Sequence, residues 1–226
     1  MIYIKNKHQF FARWTHWVNF PILFVMIWSG LLIYWANGVY RLGFGPVTLF
    51  HFFPKSVYSL LKLDHRLAQG MAWHFYFMWF FAINGLIYIL FTLLSGHWRE
   101  MLPTRRGFLD ALFVTLHDLG LHKELPLQGK YNAAQQISYS AIIVMGAGSL
   151  LTGLAIYRPI QVQGLTSLLG GYEWARREHF ALTIGYLLFF IVHVAQVARA
   201  GWNNFRSMVA GYEVVPTAHI SEVHGD

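Results

Sequence analysis

The chemistry open to this chain is set by its imidazoles. The 226 residues include twelve histidines and no cysteine. Without thiols there is no disulfide, thiolate zinc site, iron–sulfur cluster or thioether-attached haem, so histidine is the main supply of metal ligands. Four histidines, His16, His74, His179 and His193, fall within long apolar stretches. Ionisable groups at membrane depth are costly and usually functional. One such ring near a helix end reads as an interfacial hydrogen bond, whereas four at matched depths read as ligands. The other eight sit in loops or near the termini, where a solvated or headgroup-facing ring is the simpler reading. Met26, Met71, Met78 and Met145 offer thioethers, but methionine more often fills core.

The elements that must position these rings are membrane crossings. The chain is 56% hydrophobic and 12% charged, against about 25% charged in a soluble domain. Too little polar surface is left to cover a soluble fold, and the aromatic content excludes disorder. Runs free of Asp, Glu, Lys and Arg cover 14–40, 67–98, 131–157 and 179–198. Each is long enough for about 30 Å of hydrocarbon. The expected fold is an all-α membrane protein, a four-transmembrane-helix bundle with haem groups between its helices. Its crossings lie at about 14–40, 67–98, 131–157 and 179–200, in one membrane domain over residues 1–226. Pro21 falls in the first turns of its helix, where a missing N–H is tolerated. Leu42–Phe53 is short and broken by Gly43, Gly45 and Pro46, and reads as an interfacial loop. Arg105–Glu124 has the apolar spacing of an amphipathic helix on the membrane surface. No cleavable leader is expected.

The net charge of +7 does not mark a nucleic-acid binder. The basic residues lie between the apolar runs, where they meet lipid headgroups and set orientation. The terminal segments and the middle loop hold ten of the 17 Lys and Arg, and the other two loops hold seven. That bias puts both termini in the cytoplasm.

With that topology His16 and His193 share an inner depth, and His74 and His179 an outer one. His179 and His193 are 14 residues apart, about 21 Å of rise and nearly four turns, so they face roughly one way. Two such pairs are what two six-coordinate b haems require, each iron taking two axial ligands from facing helices. A histidine-lined transporter would want acidic partners inside the membrane, and these runs have none. A self-sufficient quinone-linked haem oxidoreductase stays open. Ser29-Gly30-Leu31, Asn84-Gly85-Leu86 and Thr152-Gly153-Leu154 punctuate three crossings, either for close helix packing or to clear room for a flat cofactor. Arg13, Arg41, Arg66, Arg158, Arg176 and Arg177 lie near the faces, available to haem propionates or to headgroups.

These residues resemble a known family. Arg13-Trp-Thr-His16-Trp17, Ser29-Gly30, His74, Gly129-Lys-Tyr-Asn-Ala-Ala-Gln135, Thr152-Gly153, His179, His193 and Met208-Val-Ala-Gly-Tyr212 are similar to the bacterial four-helix diheme cytochromes b. Those include the formate dehydrogenase gamma subunit and the b-type cytochrome of nickel–iron hydrogenase. Asn84-Gly85-Leu86 and Gly201-Trp-Asn-Asn-Phe205 look like cytochromes paired with a sulfite-oxidase-like molybdoenzyme. The resemblance implies an inner-membrane subunit moving electrons between quinone and a periplasmic molybdoenzyme- or hydrogenase-type partner. Ala134 stands where the formate dehydrogenase motif has glycine, and the loops at 41–66 and 158–177 carry their own sequences. Neither formate nor hydrogen is therefore assigned as fuel. In the resembling gamma subunits the stretch around Asn132 and Gln135 lies beside the inner haem and serves quinone. Amide side chains both donate and accept, as a quinone headgroup requires. The alternative is that Asn132 caps its helix and Gln135 bonds a neighbouring one. His8 or the His117–His122 segment is a candidate for the proton.

Overall fold

The computed structural model describes residues 2–118, 120–124 and 131–216. Gly129 and Lys130 of the motif above, and His219 and His224, lie outside them. In chain order the elements are β1 (Ile2–Asn6), α1 (Phe10–Tyr34), β2 (Arg41–Phe44), β3 (Val47–His51), α2 (Lys55–Leu60) and α3 (Leu67–Leu94). There follow α4 (Trp98–Met101), α5 (Gly107–Asp118), α6 (Ala133–Tyr157), α7 (Gln163–Leu168), α8 (Tyr172–Ala210) and β4 (Tyr212–Pro216). Of these α1, α3, α6 and α8 are long and apolar enough to cross a membrane. The fold is thus the expected helical membrane protein with four spans. The chain divides into two compact units, Phe10–Tyr88 and Met1–Gln9 with Ile89–Asp226.

The span limits differ from the charge-free runs for physical reasons. α1 begins at Phe10 and so includes Arg13, whose long stem lets the charge reach the interface from inside a helix. It stops at Tyr34, because Asn37 and Gly38 favour a turn over a further helical turn. α3 ends at Leu94, where Gly96 takes a left-handed φ of 72°. α8 starts seven residues before His179, and its first turns carry Glu173, Arg176 and Arg177. An i,i+3 pair between Arg176 and Glu173, 3.1 Å, supports those turns, which a search for uncharged sequence passes over. His179 is therefore two turns inside its helix and does not begin it. The helical path of α8 breaks at Gly201, with φ 80° and ψ 175°.

In the Phe10–Tyr88 unit α1 packs tightly against α3 at Gly70. A Cβ there would lie 2.7 Å from Leu32 Cβ and 3.0 Å from the Ser29 carbonyl oxygen. Ser29 and Leu32 are fully buried. Leu42–Phe53 is not an irregular loop but contains an antiparallel β2–β3 hairpin. Gly45 at φ 55° followed by the fixed negative φ of Pro46 gives the sign pattern of a two-residue II′ turn. Tyr34 donates its hydroxyl to the Phe52 carbonyl at 3.0 Å and accepts from the Tyr40 amide at 2.7 Å. Tyr58 donates to the Leu31 carbonyl at 2.9 Å. Burial pushes the Tyr58 phenol above its ordinary range, so it stays a donor at every physiological pH.

In the other unit α6 packs on α8 and α5 packs on α6. Ala111 and Val114 of α5 are buried, while Phe108, Leu109, Leu112 and Phe113 are exposed. The amphipathic helix expected over 105–124 forms over Gly107–Asp118 only, with most of its large apolar residues exposed, as a membrane-surface helix requires. β1 pairs antiparallel with β4, Ile4 opposite Val214. The two terminal segments therefore share one side, as four crossings demand. Asn203 clamps the tail by donating to the Val214 carbonyl at 2.9 Å and accepting its amide at 3.0 Å. Lys7 adds an ion pair to Glu213 at 2.8 Å. Asn203→Ala is expected to cost under about 1.5 kcal/mol and to make the chain after Gly211 cleave faster in limited proteolysis. An unchanged cleavage rate would show that the clamp does not hold the tail.

Candidate haem-ligand site

The four candidate rings are neither fully buried nor fully exposed. His16 is on α1, His74 on α3, and His179 and His193 on α8.

His74 and His179 have matching surroundings, each inside its own unit. His74 Nδ1 is 3.0 Å from Ser29 Oγ, and His179 Nδ1 is 2.8 Å from Thr152 Oγ1. Ser29 Oγ donates to the Val25 carbonyl at 2.6 Å, and Thr152 Oγ1 to the Gly148 carbonyl at 2.7 Å. The hydroxyl proton is thereby engaged one turn back along the helix, which leaves oxygen lone pairs facing the ring. Each ring lies flush against the following glycine. A Cβ on Gly30 would be 3.5 Å from His74 Cε1, and one on Gly153 would be 3.3 Å from His179 Cε1. The third copy of the tripeptide behaves otherwise. Gly85 meets nothing within 4 Å, and buried Asn84 donates to the Thr15 carbonyl at 3.1 Å, tying α3 to α1 beside His16. His16 meets Trp17 edge-on at 5.2 Å, and His193 stacks on Phe189 at 5.7 Å.

The match extends along the chain. Ser29-Gly-Leu-Leu-Ile-Tyr34 ends α1 and Thr152-Gly-Leu-Ala-Ile-Tyr157 ends α6. His74 and His179 each stand seven residues past the first residue of their helices, 74 − 67 and 179 − 172. Ser29 and Thr152, the hydroxyl partners, escaped the sequence reading as ring contacts. The repeated hexapeptide was the signal that could have found them.

Asn132 and Gln135 form a reciprocal capping box at the start of α6. Asn132 Oδ1 accepts from the Gln135 amide at 2.8 Å, and Gln135 Oε1 accepts from the Asn132 amide at 3.1 Å. The capping alternative therefore describes both oxygens, and Gln135 bonds its own helix terminus. Next to the box, the Tyr131 hydroxyl is hydrogen-bonded to His97 Nε2 at 3.0 Å. His97 Nδ1 meets Glu100 Oε2 at 3.0 Å. Arg158 lies over Tyr157 and Arg177 over Trp174, so both guanidiniums rest on aromatic faces of their own helix ends. Within neither unit do three His, Asp or Glu side chains converge among the described residues, as a non-haem site held by protein alone would need.

Residues 7–211 match the family model described as prokaryotic cytochrome b561. The chain belongs to that family. It is 34% identical, over 84% of its own length and 89% of the relative's, to a protein of Azospira oryzae. That protein carries the provisional name protein-methionine-sulfoxide reductase subunit YedZ1. As a prokaryotic cytochrome b561 the chain is a multi-pass inner-membrane b-type cytochrome subunit that transfers electrons, with its four spans in lipid. Its residues fit the b haem that membership implies. Two rings on different spans are anchored through Nδ1, which directs Nε2 away from the anchor, and each ring packs against a glycine.

Proposed function

We propose that the chain holds two b haems and passes electrons from membrane quinol to a periplasmic reductase. His16 and His193 would be the axial pair nearer the cytoplasm, and His74 and His179 the pair nearer the periplasm. When bound, the two groups supply one-electron carriers at two depths of one membrane domain. The observation that carries the reading is the repeated pairing of His74 and His179 with the hydroxyl residue that opens each of two matching hexapeptides, Ser29 and Thr152. Both termini are cytoplasmic in this reading, supported by the ten-to-seven basic bias. Reporter fusions at each end test it, and periplasmic activity at both would overturn it. The Azospira oryzae relative is named as a subunit of a reductase, which supports a catalytic partner that consumes electrons. The two loops at 41–66 and 158–178 are its proposed docking face.

The quinone site is proposed at the start of α6. With their oxygens in the capping box, Asn132 and Gln135 still have amide N–H groups to donate to a quinone carbonyl. Tyr131, His97 and Glu100 form a chain of hydrogen-bonding groups reaching a half-exposed carboxylate, suited to releasing a proton. Asn132→Asp and Gln135→Glu keep the capping oxygens and delete the donors, so they separate the two roles. With both haems retained, each is expected to slow quinol oxidation about tenfold, and Tyr131→Phe by at least as much. Unchanged quinol kinetics and inhibitor binding in all three would move the site elsewhere.

A further inference from the structure

We infer that Ser29 and Thr152 are positioning residues that select the ligating tautomer of His74 and His179 and hold down the reduction potential of the haem those rings bind. The inference rests on the ligand assignment above and goes beyond it.

It starts from the direction of the hydroxyl hydrogen bonds. A serine or threonine hydroxyl has one proton and two acceptor sites. At Ser29 the proton is directed to the Val25 carbonyl, 2.6 Å away, and at Thr152 to the Gly148 carbonyl, 2.7 Å away. Towards the ring each oxygen can then only accept. The group facing it at 3.0 Å or 2.8 Å is an imidazole Nδ1, which must therefore carry the proton. A neutral ring protonated at Nδ1 has its lone pair at Nε2, the form that binds iron. The opposite tautomer would set two lone pairs against each other at hydroxyls on buried residues, Ser29 and Thr152, a buried polar clash that costs stability.

The same bond has an electronic consequence. An acceptor on Nδ1–H pushes electron density through the ring to Nε2 and makes it a stronger donor. Ferric iron, with one more positive charge than ferrous, gains more from that donation, so the potential falls.

Two facts argue against ordinary helix packing as the whole role of these residues. The hydroxyls recur at one register, five residues before the ends of α1 and α6, opposite histidines at one register of α3 and α8. At the third small-residue step the polar side chain, Asn84, bonds the Thr15 backbone carbonyl rather than an imidazole.

The test uses the purified full-length haem protein, titrated optically for both potentials, with electron spin-echo modulation from the remote imidazole nitrogen. Ser29→Ala and Thr152→Val are expected to keep both haems. The same haem should shift to a more positive potential in each, by about threefold in its ferric-to-ferrous ratio for Ser29→Ala, or about 28 mV at 59 mV per tenfold. Ser29→Thr and Thr152→Ser should restore both the potential and the remote-nitrogen coupling. Loss of one haem in Ser29→Ala with recovery in Ser29→Thr also supports the inference, and loss without recovery overturns it. Unchanged potentials in both hydroxyl deletions would overturn it, as would shifts of different haems. The ligand assignment fails separately, if His74→Ala and His179→Ala retain both haems.

Discussion

Replacing His74 or His179 with Ala is expected to remove one haem, the same one in both variants, and to leave the second in place. His16→Ala and His193→Ala are expected to remove the other. Each variant should fall from about two protohaems per polypeptide to about one, because a low-spin b haem needs both axial ligands. The loss is structural as well. A cavity the size of a porphyrin, lined by side chains that cannot collapse into it, costs at least the 3–5 kcal/mol or so measured for removing one large core side chain. Detergent-solubilised variants should therefore unfold at clearly lower temperature. Haem stoichiometry and the redox spectrum identify which component is lost. If His16→Ala and His74→Ala removed the same haem and spared the other, the assignment by depth would be wrong.

Gly70→Val is expected to lower both the stability and the haem retention of the protein. Its Cβ would lie 2.7 Å from Leu32 Cβ and 3.0 Å from the Ser29 carbonyl oxygen, distances that backbone and a fully buried leucine cannot relieve by rotamer change alone. Overpacking of this kind costs typically about 1–3 kcal/mol. The consequence reaches the site, because Gly70 is one turn before His74 on α3 and presses on the α1 turn that carries Ser29. Pushing α1 away lengthens the Ser29–His74 contact. The expected result is a lower unfolding temperature together with partial loss or weakened retention of the haem bound by His74. Gly85→Ala is the control on the same helix. Nothing in the protein lies within 4 Å of its Cβ position, so the overpacking loss should be absent and stability should rise slightly through helix propensity. Full haem content and an unchanged spectrum in Gly70→Val would separate the α1–α3 contact from the site.

Four spans and the histidines within them were legible in the sequence because hydrocarbon imposes one coarse demand, length without charge. Their ends were less legible. The first turns of α8 carry Glu173, Arg176 and Arg177, and α1 includes Arg13, since interfacial charges belong to helices as readily as to loops. The hairpin at 41–51 depends on the backbone of Gly45 and Pro46, which composition alone reads as a loop breaker. Asn132 and Gln135 had two readings from sequence, and backbone geometry at the helix start made the capping box visible. The hydroxyl partners of His74 and His179 were hidden for a different reason. Serine and threonine in apolar helices usually bond their own preceding turn, and these two do so as well. Only the position of the neighbouring helix reveals the second bond. The Ser/Thr-Gly-Leu step was visible in one dimension, but its meaning required α3 and α8 beside it.

Pyridine haemochrome analysis of the purified chain counts the b haems held by the four histidines. About two protohaems per polypeptide are expected, with a reduced alpha band and two resolvable potentials. A stoichiometry of one would leave only one histidine pair as ligands, and a stoichiometry near zero would rule out both pairs.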